Sequence, residues 1–308
     1  MTDQTTRIGN LKLRNPVLTA SGTFGYGLEF ADFLDLGLLG GICTKGLSRL
    51  PRAGNPPARI CETPAGMLNA IGLANIGVEA FCQHKLPELQ RRGVTVVANI
   101  FASSIDDFVA IADRLEQAAG VHAIELNVSC PNVAHGGIEF GKDPAMCAAV
   151  IRAVRAATRL PVWVKMSPEA PDLVAVARAC EQAGADALTA INTIRGMSID
   201  AERMRVRLAN RTGGLSGPAL RPIALRIVWD LVGAVSIPVI GIGGISSASD
   251  AVEFLLAGAS AVQVGTANFS DPAAAANIAR GLEAYCERHG LSVTDLIGRA
   301  RTNPEARS

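Results

Sequence analysis

Short apolar runs alternate with longer segments of helical spacing along most of this chain. The runs are rich in Val, Ile and Leu throughout, which is typical of strands buried on both faces of a parallel sheet. We predict eight strands, at Val17–Ala20, Gly41–Thr44, Thr95–Ile100, His122–Asn127, Pro161–Lys165, Asp186–Ile191, Ile237–Gly241 and Ala261–Val264. The intervening pattern predicts helices at Val78–Gln90, Ile105–Ala119, Pro144–Ala157, Asp172–Ala183, Ala219–Val232 and Ala248–Ala257.

Eight strand–helix units predict a TIM (β/α)8 barrel. The alternative is an open doubly wound sheet, but such sheets usually have fewer strands, and no GxGxxG motif opens the first unit. Since barrels of roughly 250 residues or more fold as one unit, we predict that residues 1–308 form a single domain. The alternation of Ile8, Leu11 and Leu13 predicts a small N-terminal hairpin that closes the bottom of the barrel.

Three connections are long for a compact domain. Residues 46–77 follow strand two, residues 129–141 follow strand four, and residues 192–218 follow strand six. Connections of this length usually carry function. We expect the connection after strand four to be a mobile lid, because its Gly136-Gly137 pair suits a hinge.

Composition and charge narrow the range of functions. Hydrophobic residues make up 49% of the chain and charged residues 19%, and the net charge of +1 without a strongly basic stretch argues against nucleic acid as a partner. Seven scattered cysteines without a CxxC pair predict reduced thiols and no metal centre. The polar start is unlike a signal peptide, and no uncharged apolar run is long enough to span a membrane. We therefore expect a cytoplasmic protein.

Polar side chains end several of the predicted strands, where the chemistry of such barrels is found. Lys45 and Lys165 follow apolar runs, and lysines are seldom buried unless they are paired. Asn99, Asn127 and Asn192 lie at equivalent positions. Two lysines and three asparagines at one end of a barrel predict a site for a planar, polar and anionic molecule.

The turns after strands seven and eight are rich in glycine. Gly241-Ile-Gly-Gly244 and Gly265-Thr266 occupy the position where this fold usually binds phosphate through backbone N–H groups and a helix N-terminus. A phosphorylated planar cofactor with a lysine beside its ring suggests FMN.

Cys130 lies in the most informative segment, Glu125-Leu-Asn-Val-Ser-Cys-Pro-Asn132. A cysteine on the loop after a strand can exchange a proton with a bound ring, whereas most free cysteines are small buried hydrophobes. Local context leaves both interpretations open.

Six motifs, spread over nearly the whole chain, resemble the dihydroorotate dehydrogenases. They are Thr19-Ala-Ser-Gly-Thr-Phe-Gly25, Lys45-Gly46, Asn69-Ala-Ile-Gly-Leu73, Asn127-Val-Ser-Cys-Pro-Asn132, Asn192-Thr193 and Gly213-Gly-Leu-Ser-Gly-Pro218. The resemblance is closest to the NAD-linked subclass (class 1B). It implies FMN binding by Ser21, Lys45, Gly46, Asn99, Asn127, Lys165, Ile191, Gly217, Gly243, Gly244, Gly265 and Thr266. It implies substrate binding by Lys45, Asn69, Ala70, Ile71, Gly72, Leu73, Asn127, Asn192 and Thr193.

The same resemblance implies a reaction and a partner. Cys130 would take a proton from C5 of dihydroorotate while N5 of the flavin takes a hydride from C6, and Lys165 would stabilise the reduced flavin at N1. Each chain would bind one FMN non-covalently, and a dimer of this chain would join a second subunit carrying FAD and a [2Fe–2S] cluster in a heterotetramer. Electrons would reach NAD through that subunit.

Two other classes of function stay open at this point. One is a related flavin barrel, such as a fumarate-linked homodimeric dihydroorotate dehydrogenase or a dihydropyrimidine-oxidising module. The other is a flavin-free phosphate-binding barrel, such as a phosphosugar isomerase or aldolase, which would not need Cys130 or the asparagines.

Overall fold

Eight parallel strands close into a barrel in the computed structural model, which describes residues 3–129, 131–132 and 138–302. Each strand pairs with its neighbours along the chain, and the last pairs with the first through Val262 and Val17. The TIM barrel prediction is confirmed, the open-sheet alternative is wrong, and the predicted strand ends lie within two residues of the observed ones. The barrel strands are β1 (Val17–Thr19), β2 (Gly41–Cys43), β3 (Val96–Ile100), β4 (Ala123–Asn127), β5 (Val162–Lys165), β6 (Ala187–Ala190), β7 (Val239–Ile242) and β8 (Ala261–Val264).

Helices surround the barrel, and several of them begin at a side chain that accepts a hydrogen bond from one of the first free N–H groups. Ser104, Asp143, Asp172 and Ser247 each accept a hydrogen bond from a backbone N–H three residues ahead. The α-helices are Val78–Ala80, Leu86–Arg91, Ile105–Glu116, Pro144–Ala157, Leu173–Gln182, Arg221–Val232, Ala248–Leu256, Ala267–Ser270, Ala274–His289, Val293–Leu296 and Arg299–Thr302. Phe81–Lys85 forms a π-helix, and short 3-10 helices lie at Leu28–Phe30, Leu36–Leu38, Phe140–Lys142 and Pro218–Leu220.

The helix prediction was right in position but not in detail. All six predicted helices are present, although the first is interrupted by the π-helical turn at Phe81–Lys85. The long helix Ala274–His289 after β8 was not predicted. Among the described residues, no helix is long and apolar enough to span a membrane. The same residues contain no cluster of three or more His, Cys, Asp or Glu placed to hold a metal ion.

An N-terminal hairpin closes the bottom of the barrel, as predicted. Its strands, Thr6–Ile8 and Leu11–Leu13, are antiparallel, and both Ile8 and Leu13 are completely buried. They contact a tier of buried side chains from the barrel strands, which are Leu18, Cys43, Val97, Ala123, Trp163, Ala187, Ile240 and Ala261. This tier and the hairpin form the bottom plug.

The connections after β2 and β6, for which the sequence predicts long loops, contain β-strands. Together they form a four-stranded antiparallel sheet, which we call the cap sheet, in the order Ile194–Met197, Thr212–Ser216, Gly66–Asn69 and Ile60–Thr63. Two further strand pairs lie in the long connections, Pro131–Asn132 with Ile138–Glu139 and Ile199–Asp200 with Arg205–Val206. The cap sheet lies at the top of the barrel, where the strands end.

Candidate active site

A cavity of about 1870 Å³ opens at the top of the barrel. The ends of the barrel strands, the cap sheet and the turns after β7 and β8 form its walls. Cys130 and residues 133–137 of the expected lid lie outside the described residues. Every other predicted site residue lines this one cavity, namely Ser21, Lys45, Gly46, Asn69, Ala70, Ile71, Gly72, Leu73, Asn99, Asn127, Lys165, Ile191, Asn192, Thr193, Gly217, Gly243, Gly244, Gly265 and Thr266.

One end of the cavity is built for an anion. Gly243 has a φ of 136°, and a Cβ added there would lie 2.6 Å from the Cβ of Ala224, so this turn requires glycine. The helix Ala248–Leu256 begins beside it with a capping box between Ser247 and Asp250. Backbone at a glycine turn and at a helix N-terminus can receive a phosphate through N–H groups. The residues at this end therefore fit the phosphate of FMN.

Lys165 lies deeper in the cavity and is 5% exposed. Its Nζ donates a hydrogen bond to Ser21 Oγ at 2.9 Å and lies 3.9 Å from Glu125 Oε1. A lysine at a strand end often extends to solvent, but this one points into the barrel and is paired. Its ammonium group therefore lies at the wall of the cavity, close to a hydroxyl and a carboxylate.

Glu125 is a residue of this region whose role sequence reasoning missed. Its side chain is completely buried, and its two oxygens accept hydrogen bonds from Asn99 Nδ2 at 2.6 Å and Gln263 Nε2 at 2.8 Å. The thiol of Cys43 lies 3.3 Å from Oε1, and burial, reinforced by the Glu125 carboxylate, raises the pKa of that thiol well above its usual value. The available signal was a carboxylate inside an apolar strand, two residues before Asn127 and therefore on the same strand face.

Side-chain amides connect the ends of β4 and β6. Asn192 Nδ2 donates to Asn127 Oδ1 at 3.3 Å and to Ser129 Oγ at 3.0 Å. Asn192 Oδ1 accepts a hydrogen bond from the backbone N–H of Thr193 at 2.8 Å. These contacts fix the amide groups and hold the residue that immediately precedes Cys130 in the chain.

The segment from Asn69 to Leu73 is held in shape by two asparagines outside it. Asn55 donates to Ile71 O at 2.9 Å from its backbone and to Ala70 O at 3.0 Å from its side chain. Asn75 is buried, and its Nδ2 donates to Leu73 O at 2.9 Å. Gly72 has a φ of 74° and approaches Asn55 so closely that a Cβ would overlap it. The segment therefore presents a preformed edge to the cavity.

Lys45 also lines the cavity, where its side chain is half-buried. Burial, reinforced by the neighbouring Arg59, lowers the pKa of Lys45 below 10.5. Within the described part of the chain, Lys45 Nζ has no hydrogen-bond or ion-pair partner, and Arg59 contacts the backbone oxygen of Asn55 at 3.3 Å rather than a carboxylate. Two adjacent cations without a carboxylate favour an anionic ligand. Sequence reasoning missed Arg59, because nothing in its spacing distinguishes it within a long connection.

Comparison with known proteins places the chain in one family over nearly its full length. A family model described as dihydroorotate dehydrogenase matches residues 4–286. A protein of Trichlorobacter lovleyi is 58% identical over 292 residues, which cover 94% of this chain and 96% of that protein. Proteins of Pelobacter propionicus and Geobacter sulfurreducens are 55% and 54% identical over 297 residues, which cover 96% of this chain and 98% and 97% of those proteins. All three relatives are named dihydroorotate dehydrogenase B (NAD(+)), catalytic subunit.

Proposed function

The chain belongs to the dihydroorotate dehydrogenase family, and on that premise we propose that it oxidises dihydroorotate to orotate with a bound flavin, in pyrimidine biosynthesis. The observation that carries the proposal is the cavity itself. A single space is faced by an anion-binding turn, a paired lysine, a lysine that is unpaired among the described residues, and the four asparagines Asn69, Asn99, Asn127 and Asn192. The flavin-free alternative accounts for the turn but for none of the amides. The amides and the family membership therefore both favour the flavin enzyme.

We propose that the flavin is FMN, one molecule per chain. The turns Gly243-Gly244 and Gly265-Thr266 would hold its phosphate, and Lys165 and Asn99 would contact its ring. When bound, FMN supplies the two-electron acceptor for the hydrogen that leaves C6 of the substrate. The other residues proposed to hold it are Ser21, Lys45, Gly46, Asn127, Ile191 and Gly217.

The substrate would be held by charge at one end and by amides at the other. Lys45, with Arg59 beside it, would bind the carboxylate. Asn69, Asn127 and Asn192 would pair with the amide edges of the pyrimidine, since each side chain offers both a donor and an acceptor. The backbone of residues 70–73 and Thr193 would complete this surface.

The protein's chemical contribution would be the removal of a proton. We propose that Cys130 accepts the proton from C5 while the hydride leaves C6, so that the C5–C6 double bond of orotate forms. A thiol of ordinary pKa, about 8.5, is only about 3% ionised at pH 7, so the step should accelerate as the pH rises. Ser129 precedes this cysteine and accepts a hydrogen bond from Asn192. This contact connects Ser129 to the amides proposed to bind the substrate.

The cofactor is tested by releasing it. Purified protein precipitated with acid should yield FMN in a one-to-one ratio with the chain. Riboflavin is the control ligand, because it lacks the phosphate: the refolded apoprotein should bind it far more weakly than FMN. Recovery of FAD, or equal affinity for riboflavin and FMN, would contradict the assignment.

We propose further that electrons leave this chain through a second subunit. The relatives' names contain both NAD(+) and "catalytic subunit", which supports a partner for this chain as well. That partner would carry FAD and a [2Fe–2S] cluster and join a dimer of this chain in a cytoplasmic heterotetramer. The isolated chain should then pass electrons from dihydroorotate to artificial dyes but reduce NAD negligibly. Steady NADH production by the chain alone would contradict the proposal, and rapid turnover with fumarate would favour the homodimeric alternative.

A further inference from the structure

Glu125 carries a buried charge whose function the proposed reaction does not explain. It lies on β4 between Ala123, which belongs to the bottom plug, and Asn127, which lines the cavity. Its side chain does not line the cavity. The carboxylate is therefore beneath the site, between an apolar tier and a polar one.

The neighbours of Glu125 are hydrogen-bond donors and one cation. Asn99 Nδ2 and Gln263 Nε2 donate hydrogen bonds to it, and the thiol of Cys43 and the ammonium group of Lys165 also face it. The two amides and the thiol donate three hydrogen bonds to the carboxylate oxygens, and the ammonium group lies 3.9 Å from Oε1 as a counter-charge. A buried carboxylate is costly unless it is paired, and Lys165 supplies the opposite charge.

Two of these neighbours also line the cavity. Asn99 and Lys165 contact Glu125 from above, and both lie among the residues proposed to hold the flavin ring. Gln263 and Cys43 contact it from within the barrel and do not line the cavity. The carboxylate thus acts on the cofactor site through one amide and one ammonium group.

We propose that Glu125 is a positioning residue that sets the reduction potential of the bound flavin, an inference that rests on the proposed FMN site. It orients Asn99 and Lys165 toward the ring and offsets the charge of Lys165. Reduction adds negative charge to the ring region, which Lys165 favours and Glu125 opposes. The pair therefore holds the potential below the value that an uncompensated lysine would produce, so that electrons pass onward readily after the substrate is oxidised.

The substitution Glu125→Gln tests this directly, because it keeps the size of the side chain and removes the charge. We expect the preference of the protein for reduced over oxidised FMN to rise at least about tenfold, which is about 30 mV for a two-electron couple. The potential is measured by equilibrating the FMN-loaded protein with reference dyes at neutral pH. An unchanged or lower potential in a variant that binds FMN would overturn the proposal.

Two further variants separate charge from packing. Gln263→Leu removes one hydrogen bond to Glu125 but leaves both charges, so its preference for reduced FMN should stay within about 1.5-fold of the wild type, about 5 mV. An equal shift in this control would mean that packing, not charge, was measured, and would also overturn the proposal.

Should Glu125→Gln fail to fold, Glu125→Asp is the variant to test. It draws the charge one methylene away from Lys165 and should raise the preference for reduced FMN about threefold. No shift with Glu125→Asp would then overturn the proposal.

A failure of the proposal for Glu125 can be distinguished from a failure of the proposed function. If the wild-type protein binds no FMN, the proposed cofactor is wrong. If the wild type binds and reduces FMN but the Glu125 variants keep its potential, only the present inference is wrong.

Discussion

The two ends of the barrel interior are built from the same strands but from opposite kinds of residue. At the bottom, Ile8 and Leu13 of the hairpin are completely buried against apolar side chains. At the top, Lys45, Asn127 and Asn192 line an open cavity. Within β4, the change from one kind to the other takes only five residues, from Ala123 to Asn127.

This difference indicates that the stability of the protein and its chemistry can be changed separately. The bottom plug is stabilised by close packing and by apolar area removed from water. Loss of side-chain volume there is therefore costly. The top depends on where charges and amides lie, since Lys45, Asn127 and Asn192 line the cavity. Substitutions at the bottom should therefore lower stability and spare the chemistry, and substitutions at the top should do the reverse.

The largest effect is expected from Cys130→Ser, because we propose that Cys130 is the base of the reaction. Serine has the same reach but a far higher pKa, so flavin reduction by dihydroorotate should slow by roughly 10²–10⁴-fold, the usual value of a general base. Stopped-flow measurement at pH 7 checks the rate, and thermal unfolding should be nearly unchanged. A rate within about threefold of the wild type would remove Cys130 from this role.

The bottom plug should give the opposite result with Leu13→Ala. Removing a completely buried leucine side chain should lower the free energy of unfolding by about 2–5 kcal/mol. Leu11→Ala on the same hairpin is the matched control, because Leu11 is only partly buried against the plug and should cost less. Denaturant unfolding measures both. A comparable loss in the two variants, or a large change in substrate affinity, would break the separation.

A smaller effect at the top is expected from Lys45→Ala. Loss of a partner for the carboxylate in a half-buried site should weaken orotate binding by about 2–3 kcal/mol, with a smaller change for FMN, which keeps its phosphate contacts. Arg195→Ala is the control, because Arg195 also lines the cavity but is 61% exposed and paired with Glu139 and Glu169. Titration of the flavin absorbance with orotate checks both variants. Equal losses would mean that any nearby cation suffices.

The smallest effect is a dependence on pH. Burial and Arg59 lower the pKa of Lys45 below 10.5, so its charge is lost at a lower pH than that of a free lysine. Orotate affinity should therefore fall as the pH rises through this lowered pKa. The stability of the ligand-free protein should depend on pH in the opposite direction. Between the lowered pKa and 10.5 the unfolded chain binds more protons than the folded one, so the contribution of Lys45 to the free energy of unfolding rises with pH. An alkaline fall in affinity that persisted in Lys45→Met would assign the effect to another group.

The strands of the barrel could be predicted because each is a local apolar run. Val96–Ile100 and Ala261–Val264 are buried along their whole length, so their sequences alone distinguish them from their surroundings. The hairpin was predictable for a related reason, since its buried residues alternate.

The cap sheet could not be predicted in the same way. Its strands are only partly buried, and Thr212–Ser216 contains two adjacent glycines. It pairs Leu68 with Leu215, and these residues are far apart in the sequence. No local pattern predicts such a pairing.

The site shows the same division. Its lining residues were predictable because they end strands or match family motifs. The role of Glu125 depends on contacts across the barrel, and Arg59 lies within a long connection where nothing in its spacing distinguishes it. The roles of the lining residues and the single-domain boundary 1–308 stay predictions.

The most direct test of the account is anaerobic mixing of the FMN-loaded chain with dihydroorotate. The account predicts that the visible absorbance of the flavin is lost and that one orotate forms for each flavin, without any partner subunit. Retention of the flavin absorbance at saturating dihydroorotate, in a protein that binds FMN stoichiometrically, would contradict the claim that the top of this barrel oxidises dihydroorotate.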